Sequence, residues 1–348
     1  MNSRLRIGIA GFGVVAGQVH VPLLKTFPEV ELVAIAEADA SLLSAGLSAV
    51  PTARGFCDYR QMLEQVELDA VFVCLPTPLH AQAALDVLSR GTALYLEKPL
   101  GCCLDEGRRV LEAWKACNPP PTTMVGFNFR RAPVFAELKQ QLREERLGSI
   151  LHIHSVNSRH SMVVPGWKEK RANGGGVLLD LASHHFDLWE HLSGQEVSSI
   201  KAESLSRVTE QDTATVQALM SGGVTCSGFF CFNSSEEDRI VVYGEKGRLS
   251  VERMSELRVS FRPASSRLIR LKKLLEQAKG LLTVPRLLER YRSPWSCSSY
   301  RRSLKVFLQG VSQKRSVKPD LADGFRALEL VVAAERGDDS GLHRGVGI

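Results

Sequence analysis

The sequence predicts an α/β protein of two domains, the first built on a parallel, doubly wound sheet. Three observations carry this expectation. A chain of 348 residues is too long for one small core. Apolar, β-type runs alternate with helix-like segments through its first third. A glycine-rich turn, Gly11-Phe12-Gly13-Val14-Val15-Ala16, falls between the first such run and the first helix.

The elements follow in order. Arg6 to Ala10 is a short strand, and Gln18 to Lys25 reads as a helix. Between them Gly11, Gly13 and Ala16 match G-x-G-x-x-A. The first glycine permits a tight turn, the second lets a pyrophosphate approach the backbone, and Ala16 keeps helix and strand close. Glu31 to Glu37 is a second strand that ends in an acid, where a dinucleotide-binding unit places the carboxylate for both adenosine ribose hydroxyls. Ala38, Asp39, Ala40 and Ser41 offer no cation for a 2′-phosphate, so NAD is expected over NADP. Ala70 to Leu75 is an apolar strand stopped by Pro76-Thr77-Pro78, with a helix from about His80 to Ser89. Thr92 to Leu96 is another strand, ending in Glu97-Lys98-Pro99. Ligands of such a sheet lie at the carboxyl ends of its strands, so Lys98 is either a surface charge or a donor to a substrate oxygen.

Further along, Gly174-Gly175-Gly176 runs directly into an apolar segment, which reads as a helix start. On that helix Asp180 and His184 share one face, with Asp187 three residues beyond. A carboxylate beside an imidazole orients and tunes a general base near neutral pH. Taken alone, the same residues also read as an acid near a helix N-terminus and a histidine in the core.

Composition narrows the function classes. Hydrophobic content of 44% and charged content of 24% are those of a soluble globular chain. No apolar run approaches the roughly 20 residues of a membrane span, and Met1 to Arg6 leads into a strand without an h-region. Eight cysteines lack Cys-x-x-Cys spacing, so neither a disulfide framework nor a metal site is expected, and the cytoplasm is the expected compartment. Of the net charge of +6, a local +8 lies between Arg258 and Arg292, so nucleic-acid binding by the whole chain is not implied. In this basic segment Leu268, Leu271, Leu275, Ala278 and Leu282 recur at helical spacing. After Pro285 a second piece offers Leu287, Leu288 and Tyr291. It reads either as a helical element packing on its own or a partner subunit, or, over 262–292, as a basic amphipathic element for an anionic membrane surface.

Taken together, the G-x-G-x-x-A turn, the Pro76 to His80 turn, Glu97-Lys98-Pro99 and Gly174-Gly-Gly-x-x-x-Asp180-x-x-x-His184 resemble the glucose–fructose oxidoreductase / inositol dehydrogenase (Gfo/Idh/MocA) family. Met124 to Arg131 looks like the family's strand opening the second domain, Asp238 to Leu249 like its hairpin, and the stretch from Asp323 like its closing helix. The resemblance implies an NAD-binding Rossmann domain over 1–123. It implies a substrate-binding α+β domain over 124–348, with a large open, mainly antiparallel sheet that pairs copies into a homodimer or homotetramer. The basic segment at about 261–299 stands as an insertion. The implied cofactor residues are Gly11, Phe12, Gly13, Val14, Val15, Ala16, Glu37, Leu75, Pro76, His80, Glu97 and Lys98, with Leu75 where many relatives carry a smaller residue. Lys98 would be the catalytic lysine, His184 the proton-transferring residue and Asp180 its support. Asn128, Arg130 and Lys168 join these three as substrate-pocket candidates, while His185 reads as packing. The expected reaction is NAD-dependent hydride exchange with a ring alcohol or ketone of a sugar, nucleotide-sugar or cyclitol. Two other readings stay open: a glycoside hydrolase that uses tightly bound NAD transiently, and a non-catalytic NAD-binding regulator.

Overall fold

The structure, a computed structural model, describes residues 4–265 and 284–337. The first unit comprises the described residues up to Phe127 together with Tyr300–Leu328. Its six strands are β1 (Leu5–Ala10), β2 (Val30–Ala36), β3 (Arg54–Phe56), β4 (Ala70–Val73), β5 (Ala93–Leu96) and β6 (Thr123–Val125). They lie in the order β3-β2-β1-β4-β5-β6, all parallel. The reversal between β1 and β4 is the switch point at which an open parallel sheet binds its ligand. All of β4 and β5 is buried, as strands covered on both faces must be.

Two features of this unit differ from the sequence reading. Thr123–Val125 does not open the second domain; it pairs with Leu94–Leu96 as the sixth strand of the first sheet. Residues 300–328, expected in the domain after residue 123, also pack here. The physical reason is an apolar stripe on the helix Ser299–Gln313, whose Leu304, Phe307 and Leu308 are buried in the first core. Phe307 meets Phe72 and Tyr95 edge-on at 5.6 and 5.5 Å between ring centroids. At the start of the helix Leu321–Arg336, Leu321 and Phe325 close the other face.

The second unit comprises Asn128–Ser299 and residues from Glu329 onward. Its seven strands are β7 (Ile150–Ser158), β8 (Val197–Leu205), β9 (Thr213–Met220), β10 (Thr225–Cys231), β11 (Glu237–Gly244), β12 (Gly247–Glu252) and β13 (Ser260–Pro263). Their order is β13-β12-β11-β7-β10-β9-β8, antiparallel except for β7 beside β10. The expected hairpin is β11–β12, closed at Gly244 and Gly247. The helix Ser183–Ser193 covers one face through the fully buried Phe186 and Trp189. The indole N–H of Trp189 donates to Ser155 Oγ at 2.8 Å.

The expected insertion from about 261 overlaps β13, which pairs with β12 from Gly247 to Ser250. The helical reading of 268–282 lies outside the described residues. The second piece is a helix, Val284–Tyr291. Among the described residues, no helix is long and apolar enough to cross a membrane.

Removing the Phe307 ring from the first core should cost about 3–5 kcal/mol. Urea unfolding of Phe307→Ala is therefore expected to show a lower midpoint, and an unchanged midpoint would show that 300–328 does not stabilise this unit.

Candidate active site

Every cofactor residue expected from the sequence lies at the carboxyl edge of the first sheet. Gly11 follows β1 at a φ of +91°, and a β-carbon there would stand 2.7 Å from the Cys74 carbonyl oxygen. Only glycine permits that approach. The helical segment begins at Val14, earlier than the sequence suggested, and passes through a π-type turn, Ala16–His20. A β-carbon at Gly13 would meet no atom of the described residues within 4 Å, so among them the backbone there faces open space. Ala16 is fully buried and Val14 is exposed.

Glu37 follows β2. Its carboxylate accepts the Phe12 N–H at 2.7 Å and the Asp39 N–H at 3.0 Å, tying the glycine turn to the neighbouring strand end. Asp39 caps the next helix, accepting from the amides of Ser41 and Leu42. The Ser41 hydroxyl, then the Leu42 and Ser41 amides, hold its carboxyl below the usual range. A 2′-phosphate at this edge would meet two carboxylates. An open glycine backbone, a helix start and a strand-end acid together fit a dinucleotide without a 2′-phosphate.

Leu75 and Pro76 follow β4 and are half-buried. His80 is buried, with Nδ1 2.6 Å from the Pro99 carbonyl and Nε2 2.7 Å from the Leu75 carbonyl. Both ring nitrogens are thus engaged by backbone, and His80 fastens the loop after β4 to the loop after β5. Glu97 follows β5 and meets His20 Nε2 at 2.7 Å. Lys98, the next residue, is half-buried at the same edge.

In the second unit the three glycines divide their work. Gly174 and Gly176 adopt φ of +87° and +85°, and a β-carbon on Gly175 would lie 2.1 Å from the Lys168 carbonyl oxygen. That close approach brings the loop holding Trp167 and Lys168 onto the helix start. Lys168 Nζ lies 2.7 Å from Asp180 Oδ1, with side chains 16% and 5% exposed. Asp180 stands in a second π-type turn, Leu178–Ala182, which leads into the helix bearing His184. Such turns recur at functional sites because they re-aim side chains.

The His184 ring stacks on Phe129, with centroids 4.1 Å apart and planes at 13°. The Arg253 guanidinium lies over the same ring at 4.1 Å. Its Nε and Nη2 meet Asp238 Oδ2 at 2.8 and 2.7 Å. His185 is fully buried, 3.4 Å from Asp238 Oδ1, in the packing position expected for it. Burial pushes the Asp238 carboxyl up, but Arg253, then the contact and charge of His185, then Arg159 outweigh it and hold it well below the carboxylate range.

Asn128 and Arg130, expected near a substrate, each make a bond within the protein, while Asn128 Oδ1 has no hydrogen-bond partner among the described residues. Asn128 is 1% exposed and donates to Ser299 Oγ at 2.8 Å. Arg130 grips Asp187 with two bonds of 2.8 and 2.6 Å. Sequence reasoning missed Phe129, Arg253 and His20. Arg253 carries no motif and lies far along the chain from Phe129. His20 had one legible signal: a histidine on the apolar face of the helix after the glycine turn.

A family model described as an oxidoreductase family with an NAD-binding Rossmann fold matches residues 5–118. The GFO/IDH/MocA C-terminal domain model matches residues 135–250. The chain is 26% identical to a myo-inositol 2-dehydrogenase from Thermotoga maritima, over 95% of this chain and 96% of that protein. It is 29% identical to the D-glucoside 3-dehydrogenase of Escherichia coli, over 60% of each. Among solved structures, the WlbA dehydrogenase from Bordetella pertussis, in complex with NADH and UDP-GlcNAcA, superposes with a TM-score of 0.79 at 21% identity, covering 98% of this chain and 97% of that one.

Because Asp238 is depressed in the folded state, its contribution is full above the unfolded carboxylate pKa near ~4 and is lost as pH falls toward the folded value. Denaturant unfolding between pH 7 and 3 is expected to show falling stability. Asp238→Asn should lose about 3–5 kcal/mol at pH 7 and show a flatter acid dependence. An equally steep acid dependence in the variant would remove Asp238 from this role.

Proposed function

The chain belongs to the Gfo/Idh/MocA family of oxidoreductases with an NAD-binding Rossmann domain, and on that premise we propose that it exchanges hydride with a ring alcohol or ketone of a sugar, nucleotide-sugar or cyclitol. The observation that carries the reading is the placement of Glu97-Lys98 on the sheet edge that also carries the Gly11–Ala16 turn and Glu37. The names of the relatives, an inositol dehydrogenase and a glucoside dehydrogenase, support a polyhydroxylated ring.

The cofactor, held by Gly11, Phe12, Gly13, Val14, Val15, Ala16 and Glu37, supplies the hydride acceptor when bound. Lys98 donates a hydrogen bond to the substrate oxygen whose charge changes during the reaction. His184 takes the hydroxyl proton in the oxidising direction, its ring plane set by Phe129. Asp180, in ion contact with Lys168, binds substrate hydroxyls and supports the histidine. Lys168 so paired is a pocket cation whose charge is already met. The setting is cytoplasmic, in keeping with eight free thiols. A homodimer or homotetramer is supported by Leu219 and Tyr243, which stand exposed on the sheet face opposite the helix Ser183–Ser193.

Lys98→Ala and His184→Ala should each lower turnover at least about 100-fold while NADH binding, followed by fluorescence titration, persists. Full activity in either variant removes that residue from the mechanism. The substrate follows from a screen of sugars, nucleotide-sugars and cyclitols with NAD. Glycoside consumed with no net change in nicotinamide absorbance would overturn net hydride exchange in favour of transient cofactor use.

A second reading concerns the membrane surface. Leu287, Leu288 and Tyr291 are 53%, 49% and 86% exposed on the helix Val284–Tyr291, among Arg290 and Arg292. Apolar and basic groups side by side suit an anionic bilayer. The intact chain should co-sediment with anionic vesicles and lose that binding when 262–296 are removed. No sedimentation of the intact chain ends this reading.

A further inference from the structure

The turn that carries Lys98 is held on both sides by buried histidines. After it, the Pro99 carbonyl faces His80 Nδ1. Before it, Glu97 Oε1 faces His20 Nε2 at 2.7 Å, the imidazole fully buried and the carboxylate side chain 13% exposed. His20 ends the π-type turn that follows the glycine loop, so it joins the cofactor-holding helix to the Lys98 turn.

We infer that His20 is a positioning residue for Lys98, acting through Glu97. The inference rests on the reading that Lys98 serves the reacting oxygen.

Three rings leave the imidazole little choice of orientation. Phe72, Tyr95 and Tyr300 lie 5.5, 5.2 and 6.1 Å from it, the two tyrosines edge-on. Among the described residues its Nδ1 has no hydrogen-bond partner. A proton there would be buried without an acceptor, so the neutral ring carries its proton on Nε2 and donates it to Glu97. Glu97 is hemmed in on its other side, since a β-carbon at Gly126 would stand 2.7 Å from its Oε2. The carboxylate can neither rotate toward Gly126 nor leave His20 without exposing a buried donor. Its backbone N–H donates to the Val73 carbonyl at 3.0 Å, which fixes the start of the turn to β4. A buried acid–imidazole pair is seldom a net stabiliser over apolar residues of the same volume. What it supplies is a single geometry and a carboxylate adjoining the Lys98 ammonium.

His20→Phe removes the donor and keeps a ring of similar size, and His20→Gln restores an N–H near Nε2. Expected for His20→Phe is a fall in kcat of at least about tenfold with NADH affinity unchanged. Expected too are a shifted alkaline limb of the kcat–pH profile and recovery of most of the rate in His20→Gln. In a Lys98→Ala background the same change should cost no further rate, because residues acting as one unit are not additive. A readout that needs no substrate is the acetylation rate of Lys98 by acetic anhydride, followed by peptide mass spectrometry. It should change in His20→Phe while other lysines are unaffected.

An unchanged kcat and Lys98 acetylation rate in His20→Phe overturns the inference. So does an equal loss in the Lys98→Ala background, which marks a purely structural role. Full activity in Lys98→Ala instead overturns the underlying reading, whatever His20 does. If His20→Phe fails to fold, Glu97→Gln, which keeps shape and removes the charge, decides the same comparison.

Discussion

A β-carbon at Gly11 would stand 2.7 Å from the carbonyl oxygen of Cys74, and the carboxyl edge of the first sheet depends on that missing atom. The approach draws the end of β1 against the end of β4 at the point where the strand order reverses. From there the chain turns at once into a helix, past the bare backbone of Gly13, which faces open space among the described residues. The Phe12 N–H reaches Glu37, which brings the end of β2 to the same place. His80 then joins the loops after β4 and β5, and His20 holds Glu97. Each attachment follows from the first, because strands pulled together at one end present their loops together.

The second unit relies on a charged network instead of a backbone approach. Asp238 is fully buried, which is tolerable only because Arg253 meets it with two bonds and Arg159 adds charge nearby. Arg253 in turn lies over Phe129, and Phe129 is the surface on which His184 stacks. The orientation of a candidate proton-transfer group is therefore set by residues from a 3₁₀ turn and from just beyond β12. Both units also use a π-type turn beside their chemistry, at Ala16–His20 and Leu178–Ala182, where an extra residue in the helical ladder re-aims the side chains that follow.

Much of the candidate site is expressed in local patterns of the chain. G-x-G-x-x-A, an acid at a strand end, Glu97-Lys98-Pro99 and Gly174-Gly-Gly leading to Asp180 and His184 each express one turn's backbone demands within a few residues. Two of the substrate candidates show the limit of such reading. Arg130 and Asn128 have suitable chemistry and a suitable position along the chain, but no local pattern names Asp187, which Arg130 grips, or Ser299, to which Asn128 Nδ2 donates while its Oδ1 has no hydrogen-bond partner among the described residues.

By itself the sequence determined the doubly wound character of the first half, the dinucleotide turn and the preference for a cofactor without a 2′-phosphate. These depend on periodicity, glycine geometry and local charge. Only the tertiary structure decided that Thr123–Val125 completes the first sheet, that 300–328 return to that unit, and that β13 runs into the start of the supposed insertion. It alone paired His20 with Glu97 and set His184 on Phe129 under Arg253. The physical reason is the same in each case. Strand pairing, apolar burial and ring stacking are contacts between residues far apart in the chain, and no local pattern names the partner.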